Sequence, residues 1–254
     1  MKLTHAGITT EEFGTVCRRW LASARHPRSG RPYPAMGYQP MLELLSLLDR
    51  SGFSCWIFSG GGTDFMRSFA SEVYGLPPHR IIGSVGGTEF RGGPGGPELV
   101  KSAAIQVLND GPQKPGSIHT HIGQRPILAA GNTDGDLAML QWSGASPQRT
   151  LQLVVRHTDA EREYAYDRDP ILGSGTGQIL AAAKQHTWTV IDMAADWSTV
   201  HPPVPGRPQS DALRGCSHVL LTGSKSAPAS CSQVAGGDRW LLMAVRGHLR
   251  DTRQ

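Results

Sequence analysis

The chain has 254 residues, of which 39% are hydrophobic and 18% charged, with 31 Gly, 18 Pro and a formal net charge of +4. That composition belongs to a loop-rich globular protein and excludes a coiled coil or a wholly disordered chain. No apolar run approaches the roughly 20 residues of a membrane helix, and MKLTHAGITTEEF lacks a signal-peptide core, so a cytoplasmic protein without membrane partners is expected.

Thr9-Thr10-Glu11-Glu12 followed by Phe13, Val16, Trp20 and Leu21 predicts a short amphipathic helix over 9–24 behind a Thr cap. Residues 25–39, rich in Pro, Arg and Gly, read as a connector. A second helix starts at Pro40 and stops at Gly52. Phe53–Phe58, FSCWIF, is a buried-strand candidate that ends in Ser59-Gly60-Gly61-Gly62, with a helix from about Thr63 to Tyr74. Arg80–Ser84 is a second short strand. Residues 85–97 hold six glycines and two prolines and read as a mobile turn or hairpin tip.

A third strand, Ile127–Ala130, runs into Gly131-Asn132-Thr133-Asp134-Gly135-Asp136 and a helix through Trp142. A fourth, Leu151–Arg156, leads to a helix over 158–168, where Thr158 and Glu161 have capping-box spacing. A helix near 175–186 and a strand, Trp188–Met193, follow. This alternation indicates an α/β fold with a parallel sheet and helices on both faces, and ligands in such sheets lie beyond the carboxyl ends of the strands.

The alternation stops at His201. Residues 201–254 are turn- and linker-like, so the tail is expected to be mostly disordered and dispensable for folding; Trp240–Val245 is its one short element. The tail's seven Lys/Arg against three Asp account for the whole net charge. Without a clustered basic stripe, no nucleic-acid partner is expected. Cys17, Cys55, Cys216 and Cys231 form no CxxC pair and read as free thiols.

Three clusters at strand carboxyl ends carry chemistry. Ser59-Gly60-Gly61-Gly62 is either a glycine-rich connection capped by Ser59 or an anion site built from bare amides and a helix N-terminus. Lys114, in a Gly/Pro loop, is either solvated or aimed inward as a phosphate-neutralising cation. Asn132, Asp134 and Asp136 offer hard oxygen ligands suited to Mg²⁺, or they serve a helix N-terminus. His119 and His121 have the spacing of paired metal ligands on a strand, but no third ligand accompanies them, so they read as surface residues. His157, Asp159 and Arg162 fall near the same cleft by position.

Ser59 after an apolar strand, Lys114 in KPG and the segment GNTDGDLAML resemble motifs II, III and IV of the haloacid dehalogenase superfamily. The resemblance is to its phosphoserine-phosphatase-like branch. It covers about residues 4–200 and also rests on YQPMLELL, FSGGGTDFMR and RHTDAEREYAYDR. It implies a three-layer Rossmann-like core over 36–200, with 1–35 a remnant of a helical cap. It further implies a Mg²⁺-dependent phosphomonoester hydrolase acting through a phosphoaspartyl intermediate on a small phosphorylated molecule. Ser59 and Lys114 would serve catalysis. Ser59, Gly60, Gly61 and Lys114 would bind substrate, and Asp136, Asn132 and Asp134 would serve the metal.

One departure matters most. The family's nucleophile is the first Asp of a D-x-D-x-T segment on the first core strand, and no such segment occurs in this chain. The sequence therefore resembles a member without its N-terminal portion, inactive as a phosphatase. The resemblance places the missing strand centrally, between those ending at Ser59 and Gly131. Its loss leaves three outcomes: the neighbours close up, another segment fills the slot, or the domain is weakly folded. The alternatives in function are a catalytically dead phosphate-binding protein and a nucleotide-binding Rossmann-type protein, though G-x-G-x-x-G is absent.

Overall fold

The computed structural model describes residues 5–165 and 175–204, and the backbone of 242–246. Seven strands form one mixed sheet: β1 (Phe53–Gly62), β2 (Ile81–Arg91), β3 (Glu98–Val107), β4 (Leu128–Gly131), β5 (Leu151–Arg156), β6 (Thr189–Asp192) and β7 (Leu242–Arg246). Their order across the sheet is β3-β2-β1-β7-β4-β5-β6. Strand β1 is parallel to β2, and β4, β5 and β6 are parallel to one another.

Period-two alternation sends neighbouring residues to opposite faces of the sheet. Cys55, Ile57, Ile81, Leu128, Ala130 and Leu153 pack with α2 (Gln39–Arg50), α3 (Thr63–Arg67) and α4 (Ala70–Tyr74). Phe58, Ile82, Ala129 and Val154 pack on the other side with α5 (Gln113–Ile122), α6 (Leu137–Gly144) and α7 (Gly177–His186). Helices thus cover both faces, the three-layer arrangement expected of an α/β chain.

The first helix, α1 (Thr10–Ser23), forms as its cap predicts. Thr9 Oγ1 accepts from the Glu12 amide at 3.1 Å, and Glu12 Oε2 accepts from the Thr9 amide at 2.8 Å. Its buried Phe13, Cys17 and Leu21 pack on Phe65 of α3.

Several elements differ from the sequence reading. The helix expected over 63–74 is two five-residue pieces, because the Ser68 hydroxyl turns back to the Phe65 carbonyl (2.6 Å) and Phe69 leaves helical geometry to pack edge-on against Phe65. The glycine-rich stretch after Ser84 is largely strand. At Gly87 a Cβ would lie 2.2 Å from Ser102 Oγ, so the bare backbone lets β2 and β3 approach where a side chain would part them. The Lys114 segment is the first turn of α5 rather than a loop. Pro112 stands at its N-cap and Pro115 in its first turn, where no intrahelical donor is lost.

The helix expected from 158 is absent over the described residues 158–165, which form a turn. Asp159 Oδ1 takes the amides of Glu161 (3.1 Å) and Arg162 (2.8 Å), while Thr158 Oγ1 donates to Asp192, so no capping box forms. Burial pushes the Asp159 carboxyl up, but hydrogen bonds from Arg162 outweigh that and hold it below the usual range.

The largest correction concerns the centre of the sheet and the tail. The slot between β1 and β4 is filled by β7, from the segment expected to be disordered. Strand β7 runs antiparallel to both neighbours, pairing Phe53–Ile57 with Arg246–Leu242 and Leu128–Ala129 with Ala244–Met243. Two parallel strands flanking a vacant slot would bury unpaired amides and carbonyls, which a strand of either polarity satisfies. The Pro, Gly and Ser content of the tail points to disorder, and nothing local to LLMAVR shows which strands it could pair with. The ordered core also extends beyond residue 200: His201 is buried and stacks on Tyr38, with ring centroids 5.5 Å apart. Cys17 and Cys55 are buried, and burial and the nearby Asp49 push the Cys55 thiol up to about 11. Cys216 and Cys231 lie outside the described residues.

Candidate functional site

The carboxyl ends of β1 and β4 bring the three sequence clusters together. The link is Lys114, whose Nζ lies 2.5 Å from Asp136 Oδ1 and 3.4 Å from the Phe58 carbonyl. Both side chains are buried, at 2% and 5% exposure. Strand β4 supplies the acid through a tight 3-10 turn over Asp134–Asp136, where Asp136 Oδ2 accepts from the amides of Asn132 (2.9 Å) and Thr133 (3.2 Å). Gly131 makes this possible, since a Cβ there would lie 2.5 Å from that of Asp136. The pair thus ties α5 to both strand ends across the sheet.

Ser59 follows Phe58, whose carbonyl Lys114 approaches; it is buried, and its hydroxyl accepts from the Gly61 amide at 3.0 Å. The backbone stays extended to Gly62, and only the five-residue α3 follows, so the helix dipole expected to favour an anion is small. Two residues that sequence reasoning missed line the same place. Asn109, fully buried, donates from Nδ2 to the Ser59 carbonyl at 3.0 Å. The Asp110 carboxyl faces Gly60, with Cγ 3.5 Å from where a Cβ would stand. The Asn109-Asp110-Gly111 turn carries no signal that separates a site from an ordinary loop.

The remaining candidates take structural partners. Asp134 Oδ1 accepts from the Ile179 amide at 2.8 Å, joining the turn to α7. The Asn132 amide nitrogen donates to His157 Nε2 at 2.9 Å. His157 Nδ1 lies 3.3 Å from Glu163 Oε2, and the Tyr38 hydroxyl donates to Glu163 Oε1 at 3.0 Å. The sequence points to two members of this buried chain, Asn132 as a metal ligand and His157 by position, and to neither as a partner of the other. Arg162 donates to the carbonyls of Trp197, Ser198 and Met193 and so anchors the 159–163 turn. His119 and His121 lie exposed on α5, a helix rather than the strand whose spacing they match, so two positions apart they do not share a face.

Mg²⁺ does not fit the donors as they stand. Both oxygens of Asp136 are engaged, one oxygen of Asp134 holds α7, and Asn132 brings no charge. Among the described residues, no group of three or more His, Cys, Asp or Glu is placed to hold a metal ion. Mg²⁺ keeps most of its waters and is held through one or two carboxylates, and here both oxygens of Asp136 already accept from protein donors.

No family model matches the chain, and no curated protein does. Among solved structures, it is similar to one described as "a conserved functionally unknown protein" from Anaerococcus prevotii, at 18% identity and a TM-score of 0.50. The match covers 73% of this chain and 50% of that one, so the chain spans about half the length of its structural neighbour. The likeness speaks to the fold alone, a mixed α/β architecture with helices on a sheet that contains parallel strands.

Proposed function

We propose that the Ser59–Lys114–Asp136 cluster is a phosphoryl-binding site of haloacid dehalogenase type that holds a small phosphorylated molecule without hydrolysing it. The observation that carries this reading is the placement of Lys114. An ammonium has three donors; Asp136 and the Phe58 carbonyl accept two among the described residues, and in this reading the third turns to a phosphoryl oxygen at the Ser59 end of β1. Hydrolysis by the phosphoaspartyl route needs an unencumbered carboxylate nucleophile at this point. Asp136 is held by Lys114 and two amides, and the chain has no D-x-D-x-T segment.

Titration with inorganic phosphate, followed by amide chemical shifts, is expected to move Gly60, Gly61 and Gly62 with a dissociation constant of about 1 mM or weaker. Ser59→Ala is expected to weaken it further. Asp110 opposes the anion across Gly60, so Asp110→Asn is expected to tighten binding by about fivefold, the order of one screened charge at close range. Adding Mg²⁺ is expected to change affinity less than about twofold. Unmoved glycine amides in a folded chain would overturn the reading. So would hydrolysis of p-nitrophenyl phosphate abolished by Asp110→Asn, which would make Asp110 a nucleophile.

A further inference from the structure

We infer that Asn109 is the positioning residue of the phosphoryl-binding site, turning the Gly60 amide toward the anion by holding the Ser59 carbonyl from behind. The inference rests on the reading of Ser59 and Lys114 as an anion site. It names a residue that shapes that site without touching the bound molecule.

Asn109 is fully buried in the connection between β3 and α5. Its Nδ2 donates to the Ser59 carbonyl at 3.0 Å, and its backbone amide donates to Ser84 Oγ at 3.0 Å. The Ser84 hydroxyl in turn donates to the Gly60 carbonyl at 2.8 Å. Two consecutive carbonyls of β1 are thus held by Asn109 and the serine it binds. A trans peptide directs its C=O and N–H in opposite senses. The Gly60 and Gly61 amides share those two peptide planes, so each points away from the group that holds its carbonyl. Of the two, the Gly61 amide donates to the Ser59 hydroxyl at 3.0 Å, and the Gly60 amide is the donor assigned to a phosphoryl oxygen.

The same turn fixes the other half of the site. Gly111 has φ +53°, a left-handed conformation that glycine adopts without strain. Its amide donates to the Gly135 carbonyl at 3.1 Å, and its carbonyl accepts from the Lys114 amide at 3.1 Å. Asn109 to Gly111 therefore join the Ser59 end of β1 to Lys114 and to the Asp134–Asp136 turn. Donors aimed before an anion arrives need no reorganisation when it binds, so a lost aim is read in affinity.

Hydrogen bonding separates this role from packing. The Ser59 carbonyl can only accept, which fixes the orientation of the Asn109 amide and leaves Oδ1 a buried acceptor with no partner among the described residues. An unpaired buried acceptor opposes folding. A leucine of similar shape removes Oδ1 and strands the Ser59 carbonyl instead, so one unpaired acceptor replaces another and stability changes little.

Titration of the full chain with inorganic phosphate, followed at the Gly60–Gly62 amides, tests the inference beside thermal unfolding. Asn109→Leu is expected to unfold within about 3 °C of the parent. Its dissociation constant for phosphate is expected to rise about tenfold, the effect of one lost donor to a charged group, with the Gly60 amide resonance already displaced before phosphate is added. Asn109→Ala is expected to lose the same affinity although it also loses volume, which ties the effect to the amide rather than to the space it fills. A folded variant of either kind that binds phosphate like the parent would overturn the inference and leave the phosphoryl site standing. Glycine amides of the folded parent that phosphate does not move would overturn both.

Discussion

Removal of residues 242–254 is expected to abolish cooperative folding of the monomer. Strand β7 pairs at five positions with β1 and at two with β4, and it sits in the middle of the sheet, where no solvent replaces lost partners. At about 0.5–1.5 kcal/mol per net backbone hydrogen bond, losing such a ladder costs on the order of 5 kcal/mol. The whole stability of a domain is about 5–15 kcal/mol. A point substitution tests the same idea without shortening the chain. Ala244 pairs with Cys55 on one side and Leu128 on the other. A proline there removes a ladder donor in a strand flanked on both sides, a position prolines do not occupy. Ala244→Pro, which removes a ladder hydrogen bond from a strand paired on both sides, is expected to lower stability clearly in urea unfolding. Chains truncated at 241 or carrying Ala244→Pro that melt like the parent would show that the slot does not need β7.

How far the sequence reveals this molecule depends on which physical signal each element uses. Strands β1, β4 and β5 were legible because short apolar runs bounded by glycine or polar turns fit strands buried on both faces, and β6 was legible as an apolar run although it lies at the sheet edge with Thr189 and Val190 exposed. Helices α1 and α2 were legible from their apolar spacing and their end signals, the Thr9 cap on one and the Pro40 start with its Gly52 stop on the other. The hairpin was half-hidden, since glycines that permit close strand approach look the same in sequence as glycines that break a strand. Lys114 was found as a residue but misplaced, because two prolines flanking it suggest a loop, yet both fall where a helix tolerates them. Strand β7 was illegible as a partner for a different reason. LLMAVR has strand composition, but its role follows only from a vacancy created more than a hundred residues earlier, at Phe53 and Leu128. Pairing between distant segments is a property of the whole sheet, and local composition carries no trace of it.

The same reasoning makes the Lys114–Asp136 pair the most sensitive point of the candidate site. Both groups are almost fully buried. Neutralising one partner therefore leaves the other charged in a poorly hydrated place, which costs about 3–5 kcal/mol in comparable buried pairs. Lys114→Met is expected to fall in that range in denaturant unfolding, far more than its lost packing explains, since the methylene stem is kept. The cause is separable from the shape of the side chain. Adding Asp136→Asn removes the stranded charge while an amide oxygen still accepts from the Asn132 and Thr133 backbone, so the double variant is expected to regain about half the loss or more. That recovery distinguishes an electrostatic bridge from simple filling of space. A double variant no more stable than Lys114→Met alone would mean that the carboxylate is not stranded by the loss of its ammonium. In that case other donors carry Asp136, and the linkage between α5 and the two strand ends rests on packing around Ile118 and Phe58.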